Sequence, residues 1–135
     1  PPPPTPRSLR FPAMAVPRIT KEELKARLDA GNAPVIIDVR LKYPFEHSTL
    51  TLPGARRVAP GEADTVALPS DQDIVAFDSD PGEIVSAEAA GRLRARGLKA
   101  VVLAGGLPEW VAANLPTETK EARIAAPAAK SAAKE

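Results

Sequence analysis

The segment DIVAFDSDPGEIVSAEAAGRL, Asp73 to Leu93, carries the residues best placed for chemistry. An apolar run feeds a short loop, and the loop leads into a helix; in α/β proteins reactive groups gather at such junctions. The loop runs Asp78, Ser79, Asp80, Pro81, Gly82, Glu83, Ile84, Val85, Ser86. Asp78, Asp80 and Glu83 could gather three hard oxygens for magnesium or calcium. Asp78 could instead act as a carboxylate nucleophile. The blander pattern is preferred: Asp78 accepts loop amides while Asp80 and Glu83 are solvated. The chain has no cysteine, which removes thiolate nucleophiles, disulfides and thiolate metal ligands.

The elements that must position this loop are short and alternate in kind. ITKEELKARLDAG predicts a helix, with Thr20 and Glu23 at capping-box spacing, Leu24 and Leu28 on one face and Gly31 as a stop. APVIIDVR predicts a buried strand from Pro34 to Asp38. LPGARRVAP holds a turn and then a brief strand near Arg56 to Ala59, and PGEADTVALPSDQ has room for a turn or two of helix. DIVAF is a second buried strand. VSAEAAGRLRARG is a helix with Ala89, Ala90 and Leu93 inward and Gly97 closing it. KAVVL is a third buried strand, and LPEWVAANLP a short final helix. Connections this short call for helical crossovers, so the expected fold is α/β: a small doubly wound parallel sheet of about five strands with helices on both faces.

The ends read differently. Residues 1–17 are proline-rich and predict an extended arm or linker. Residues 117–135 are rich in alanine and lysine, with Ile124 as the only large apolar side chain, and predict a flexible tail. The folded unit is therefore expected over 18–116. A chain opening on Pro1 reads as a piece of something longer, and an upstream tether to a membrane protein stays open. Of 18 basic and 17 acidic residues, two basic lie in the arm and four basic and three acidic in the tail, which leaves the core slightly acidic. That is no footprint for nucleic acid. Arg92, Arg94 and Arg96 read as the solvated side of a helix. No run approaches the roughly 20 apolar residues of a membrane span, and no signal-peptide pattern appears in these residues. A soluble, cytoplasmic domain without direct membrane insertion is expected.

Four landmarks in order, ITKEELKARLDAG, VIIDVR, LPGARRV and IVAFDSDPGEIVSAEAAGRLRARGLKAVVLAGGLPEW, resemble the rhodanese (sulfurtransferase) domain over nearly all of 18–116. Asp38-Val39-Arg40 is similar to the family's DVR, and Pro53-Gly54-Ala55 to its IPGA, with Leu52 for the isoleucine. Gly105-Gly106 followed by Trp110 is similar to its GG…W ending. The loop resembles a subgroup in which a strand ends in YC and continues as CPNE…SA, a form found in bacterial sulfurtransferase-like domains, some attached to membrane proteins of the DedA type. Both of that subgroup's cysteines are aspartates here, Asp78 at the nucleophile position and Asp80 two residues on, and Glu88 stands where arginine is usual.

The resemblance implies the fold and a known chemistry, in which a thiolate becomes a persulfide and passes its outer sulfur to an acceptor. A carboxylate cannot hold a transferable sulfane sulfur, and the added negative charge repels anionic donors. The phosphatase use of the fold needs the same cysteine. An Asp-x-Asp after a strand is also similar to the magnesium-dependent pair of the haloacid dehalogenases. That chemistry needs a downstream lysine and a later acidic pair, whereas KAVVL runs into Ala104-Gly105-Gly106. His47 reads as a surface-loop residue, and Trp110 as a core plug. Arg40 and Glu46 are expected to form a structural ion pair behind the loop, as the matching family positions imply. The function read from sequence is a non-catalytic binding or regulatory module that needs no cofactor, its partner a protein or the rest of a larger polypeptide. The alternative is a family enzyme with altered chemistry, or a metal-dependent hydrolase using Asp78.

Overall fold

Runs of β-branched residues that alternate between two apolar faces make the centre of the molecule. The computed structural model describes residues 16–80 and 82–120. In chain order the elements are β1 (Arg18–Ile19), α1 (Lys21–Asp29), β2 (Val35–Asp38), α2 (Lys42–His47), β3 (Leu50–Thr51), β4 (Arg56–Arg57), a 3₁₀ turn (Pro60–Glu62), β5 (Asp73–Phe77), α3 (Ile84–Ala95), β6 (Lys99–Leu103), α4 (Gly106–Ala112) and β7 (Glu118–Thr119). Five strands form one sheet in the order β1-β6-β5-β2-β4, every neighbouring pair parallel. The expected doubly wound α/β architecture is the one observed.

Strand period divides the core in two. Ile74 and Ala76 of β5 join Ile37, Val102 and the inner face of α3 (Ala89, Ala90, Leu93) on one side. Val75 and Phe77 join Ile36, Leu103, Leu24 of α1 and Leu107 and Trp110 of α4 on the other. Trp110 is fully buried and donates its indole N–H to the Pro116 carbonyl at 2.6 Å. Helices on both faces leave one end of the sheet open, and all the parallel strands end there.

The capping box at Thr20 forms: the Thr20 hydroxyl accepts from the Glu23 amide at 3.0 Å, and Glu23 Oε1 accepts from the Thr20 amide at 2.9 Å. The helix then ends at Ala30, with Gly31 following at φ +74°. Sequence reasoning assigned no element to α2, which carries Pro44. Pro44 sits in the first turn, where amides have no intrahelical partner and proline costs nothing. His47 therefore closes a short helix and is exposed, a correction to its assignment to a loop.

The packed unit also reaches past its expected bounds at both ends. Val16 is buried in the core, and the Pro17 carbonyl accepts from the Val102 amide at 3.0 Å. Beyond Pro116, β7 pairs antiparallel with β3, and the Lys120 amide donates to the Thr49 carbonyl at 2.9 Å. Pairings across such sequence distances leave no local trace. The remainder of the arm and tail, 1–15 and 121–135, lies outside the described residues. Among the described residues no helix is long and apolar enough to cross a membrane.

Thr20→Ala removes one half of the capping box and is expected to cost about 1 kcal/mol of stability. Urea unfolding followed by the fluorescence of Trp110, the chain's one tryptophan, measures it. A change of midpoint indistinguishable from zero would show that the cap is dispensable.

Candidate functional site

At the open end of the sheet, the first residue past β5 is Asp78, 1% exposed. Its Oδ2 accepts the Ser86 amide at 2.6 Å and its Oδ1 the Asp80 amide at 3.0 Å. Both oxygens thus bind backbone N–H groups of the loop and of the first turn of α3, where helical amides lack partners of their own. Asp80 repeats the device one step out, accepting from the Gly82 amide at 3.0 Å and the Ile84 amide at 3.4 Å.

Glu83 departs from the expected solvated role. It is buried, with its backbone at φ +61°, a left-handed conformation that costs a non-glycine residue strain. Its carboxylate holds Arg18 in a two-pronged pair, Nε to Oε1 at 2.8 Å and Nη2 to Oε2 at 2.5 Å. Oε2 also accepts the Gly105 amide at 2.9 Å. The next residue, Gly106, closes the floor: the Leu107 amide donates to the Asp78 carbonyl at 2.9 Å, and a Cβ on Gly106 would lie 2.5 Å from that same oxygen. Arg18 and the Gly106 contact escaped sequence reasoning. Arg18 stands 65 residues from Glu83, and only the pairing of β1 with β6 brings it there.

The two buried carboxylates are tuned in opposite directions. Burial pushes Asp78 above the ordinary aspartate value, and the amides of Ser86 and Asp80 offset only part of that. Burial would raise Glu83 as well, but the Arg18 hydrogen bonds, the Gly105 amide and the Arg18 charge together outweigh it and hold the carboxyl below its usual value. The three acidic side chains do not converge. Each turns onto its own amides or its own arginine, and among the described residues no group of three or more His, Cys, Asp or Glu side chains is placed to hold a metal ion. Pro81 lies outside the described residues. Ser79 borders a neighbouring groove, Ile84 is exposed and Val85 packs partly against the core. Ser86 is buried and offers its amide to Asp78.

Behind the loop, Asp38 and Arg40 form a buried pair, Nε to Oδ1 at 2.9 Å and Nη2 to Oδ2 at 2.6 Å, each about 1% exposed. This corrects the expected Arg40–Glu46 pair. Arg40 folds back on the aspartate two residues earlier, and Glu46 is exposed on α2. Arg40 also donates to the Leu50 carbonyl at 3.0 Å and lies over the rings of Phe45 and Phe77. Arg57 donates to the carbonyls of Arg40 at 2.6 Å and Asp38 at 3.2 Å, and burial pulls its pKa below the usual arginine value. The arginines along and just past α3 are exposed yet engaged: Arg96, the residue after the helix, donates to the Ala63 and Val66 carbonyls, both at 2.8 Å, and so pins the segment before β5. Glu88 is exposed and pairs with Arg92 at 3.4 Å.

The rhodanese-like domain model matches residues 20–113. No curated protein matches the chain. Among solved structures, the full-length protein from Lactobacillus plantarum superposes with a TM-score of 0.70 at 26% identity, covering 76% of this chain and 87% of that one. The rhodanese-like domain of an Anabaena protein gives 0.64 at 26%, covering 76% and 78%. A Rhodopseudomonas palustris protein of unknown function, described as a possible tyrosine phosphatase, gives 0.66 at 22%, covering 82% and 96%, a likeness of fold alone. The match in sequence runs from the cap of α1 past the end of α4, and by it the chain belongs to the rhodanese-like family.

Proposed function

We propose that this domain is a non-catalytic rhodanese-like module, a binding or regulatory unit that keeps the form of a sulfur-transfer loop without transferring sulfur. One observation carries the reading. At Asp78, where the resemblance to the CPNE-type loop puts the nucleophile, a carboxylate takes the Ser86 and Asp80 amides itself, in a chain with no cysteine. A thiolate held by such amides would be activated and could carry a sulfane sulfur. A carboxylate in its place satisfies the same donors and has no reaction to perform with a sulfur donor. A hydrolase reading of Asp78 draws no support from the loop, since Asp80 and Glu83 are committed elsewhere. Under this reading the partner is a protein or the remainder of a longer polypeptide, and the domain works as a cytoplasmic, soluble unit.

A thiosulfate-to-cyanide transfer assay on the native chain and on Asp78→Cys tests the reading. The native chain is expected to be inactive and the variant to gain measurable turnover. Turnover by the native chain would overturn the reading.

The loop's shape rests on Glu83 as well, and this gives a pH signature. Its folded-state pKa lies below the unfolded value, so its contribution to stability is present above the ordinary glutamate range and is lost as pH falls through the folded value. Native chain and Glu83→Gln are therefore expected to differ most in urea midpoint near neutral pH. The gap should narrow once pH falls below the ordinary glutamate range and close below the folded value. A pH-independent gap would show that the ionised carboxylate is not what holds the loop.

A further inference from the structure

Phe45 of α2 stands outside the open groove between α2 and α4, and cations gather on its ring instead. Arg57, from β4, places its guanidinium carbon 4.1 Å from the ring centroid, and Lys120, the residue after β7, places its ammonium nitrogen at the same distance. Two positive charges from remote parts of the chain are thus no more than about 8.2 Å apart. Like charges that close repel, and one aromatic ring attracts each of them only modestly.

Neither cation has a carboxylate to itself. Lys120 Nζ donates to the Phe45 carbonyl, and among the described residues no carboxylate lies within ion-pair distance of it. Arg57 spends Nη1 on the carbonyls of Arg40 and Asp38. The nearest carboxylate oxygen to Arg57 is Asp38 Oδ1, at 3.9 Å, and Asp38 already holds Arg40 in a two-pronged pair. Glu46 and Glu62 are exposed and act on Arg57 only through longer-range charge, which salt screens. Nε and Nη2 of Arg57 have no acceptor among the described residues. The Arg57 side chain is 27% exposed and Lys120 is half-buried, so solvent reaches both. Unused charged donors on two neighbouring side chains ask for an acceptor with more oxygens and more charge than a single carboxylate offers.

We propose that Arg57 and Lys120, set on either part of the Phe45 ring, form a binding site for a phosphate group, either a free phosphate or a phosphate monoester. The guanidinium fork of Arg57 takes two of its oxygens, and the Lys120 ammonium supplies the second positive charge. The site is separate from the Asp78 loop, and the proposal goes beyond the non-catalytic reading without needing it. Sulfur transfer by the native chain would overturn that reading and leave the phosphate site to be judged by its own titration.

The test is an NMR titration of the isotope-labelled chain with inorganic phosphate and with phenyl phosphate, at about pH 7.5, where a phosphate monoester is doubly charged. Sodium chloride at matched ionic strength is the control. Saturable shifts are expected at Phe45, Arg57 and Lys120 with phosphate and not with chloride. Tighter binding of phenyl phosphate would identify a monoester as the ligand, and equal binding the free ion. Lys120→Gln removes one charge at the margin of the fold and is expected to weaken binding at least about tenfold. The absence of saturable shifts with millimolar phosphate would overturn the proposal. So would the same shifts with chloride, or undiminished binding by a folded Lys120→Gln chain.

Discussion

The Glu83 carboxylate joins three parts of the chain that are remote in sequence. It holds Arg18 of β1 at one edge of the sheet, accepts the Gly105 amide at the end of β6, and stands at the left-handed residue that starts α3. Without it the strained turn at φ +61° has no compensation. The amide of Gly105 and the guanidinium of Arg18 then lose their shared acceptor, and the loop that presents Asp78 loses its anchor to β6. The strain at Glu83 and its ion pair are one arrangement: the unusual backbone aims the carboxylate inward, and the arginine and the amide reward it for pointing there.

Within the frame that Glu83 holds, the loop is built to cradle an anion, and the chain supplies its own. Asp78 takes two amides, Asp80 takes two more, and the Gly106 approach to the Asp78 carbonyl leaves no room for a side chain between β5 and α4. A loop satisfied from within needs neither a bound anion nor a metal to hold its shape. Its form is therefore held by hydrogen bonds that the chain supplies itself. The burial that pushes Asp78 above the ordinary aspartate value is offset in part by the Ser86 and Asp80 amides, which favour the ionised carboxylate.

The buried Asp38–Arg40 pair sets the other wall of this end of the sheet. A buried ion pair contributes little net stability after desolvation, but it fixes geometry. Here it fixes where α2 and β3 cross the ends of the strands, through the Leu50 carbonyl and the ring of Phe45. The groove between α2 and α4 is a consequence of that placement.

The sequence by itself determined the architecture, because periodicity and caps are local. Runs such as VIID, DIVAF and KAVVL can only be buried strands between helices, the capping box at Thr20 announces α1, and Gly97 closes the turn after α3. It also excluded thiolate chemistry from these residues, since the sequence holds no cysteine. The tertiary structure decided everything that depends on residues meeting across the fold. It brought Arg18 to Glu83, turned Arg40 onto Asp38 instead of Glu46, and paired β3 with β7 beyond the bound drawn at Pro116. It also kept the three loop carboxylates apart. Charges close in sequence are free to point to different neighbours, and only the packed sheet settles which neighbours are within reach.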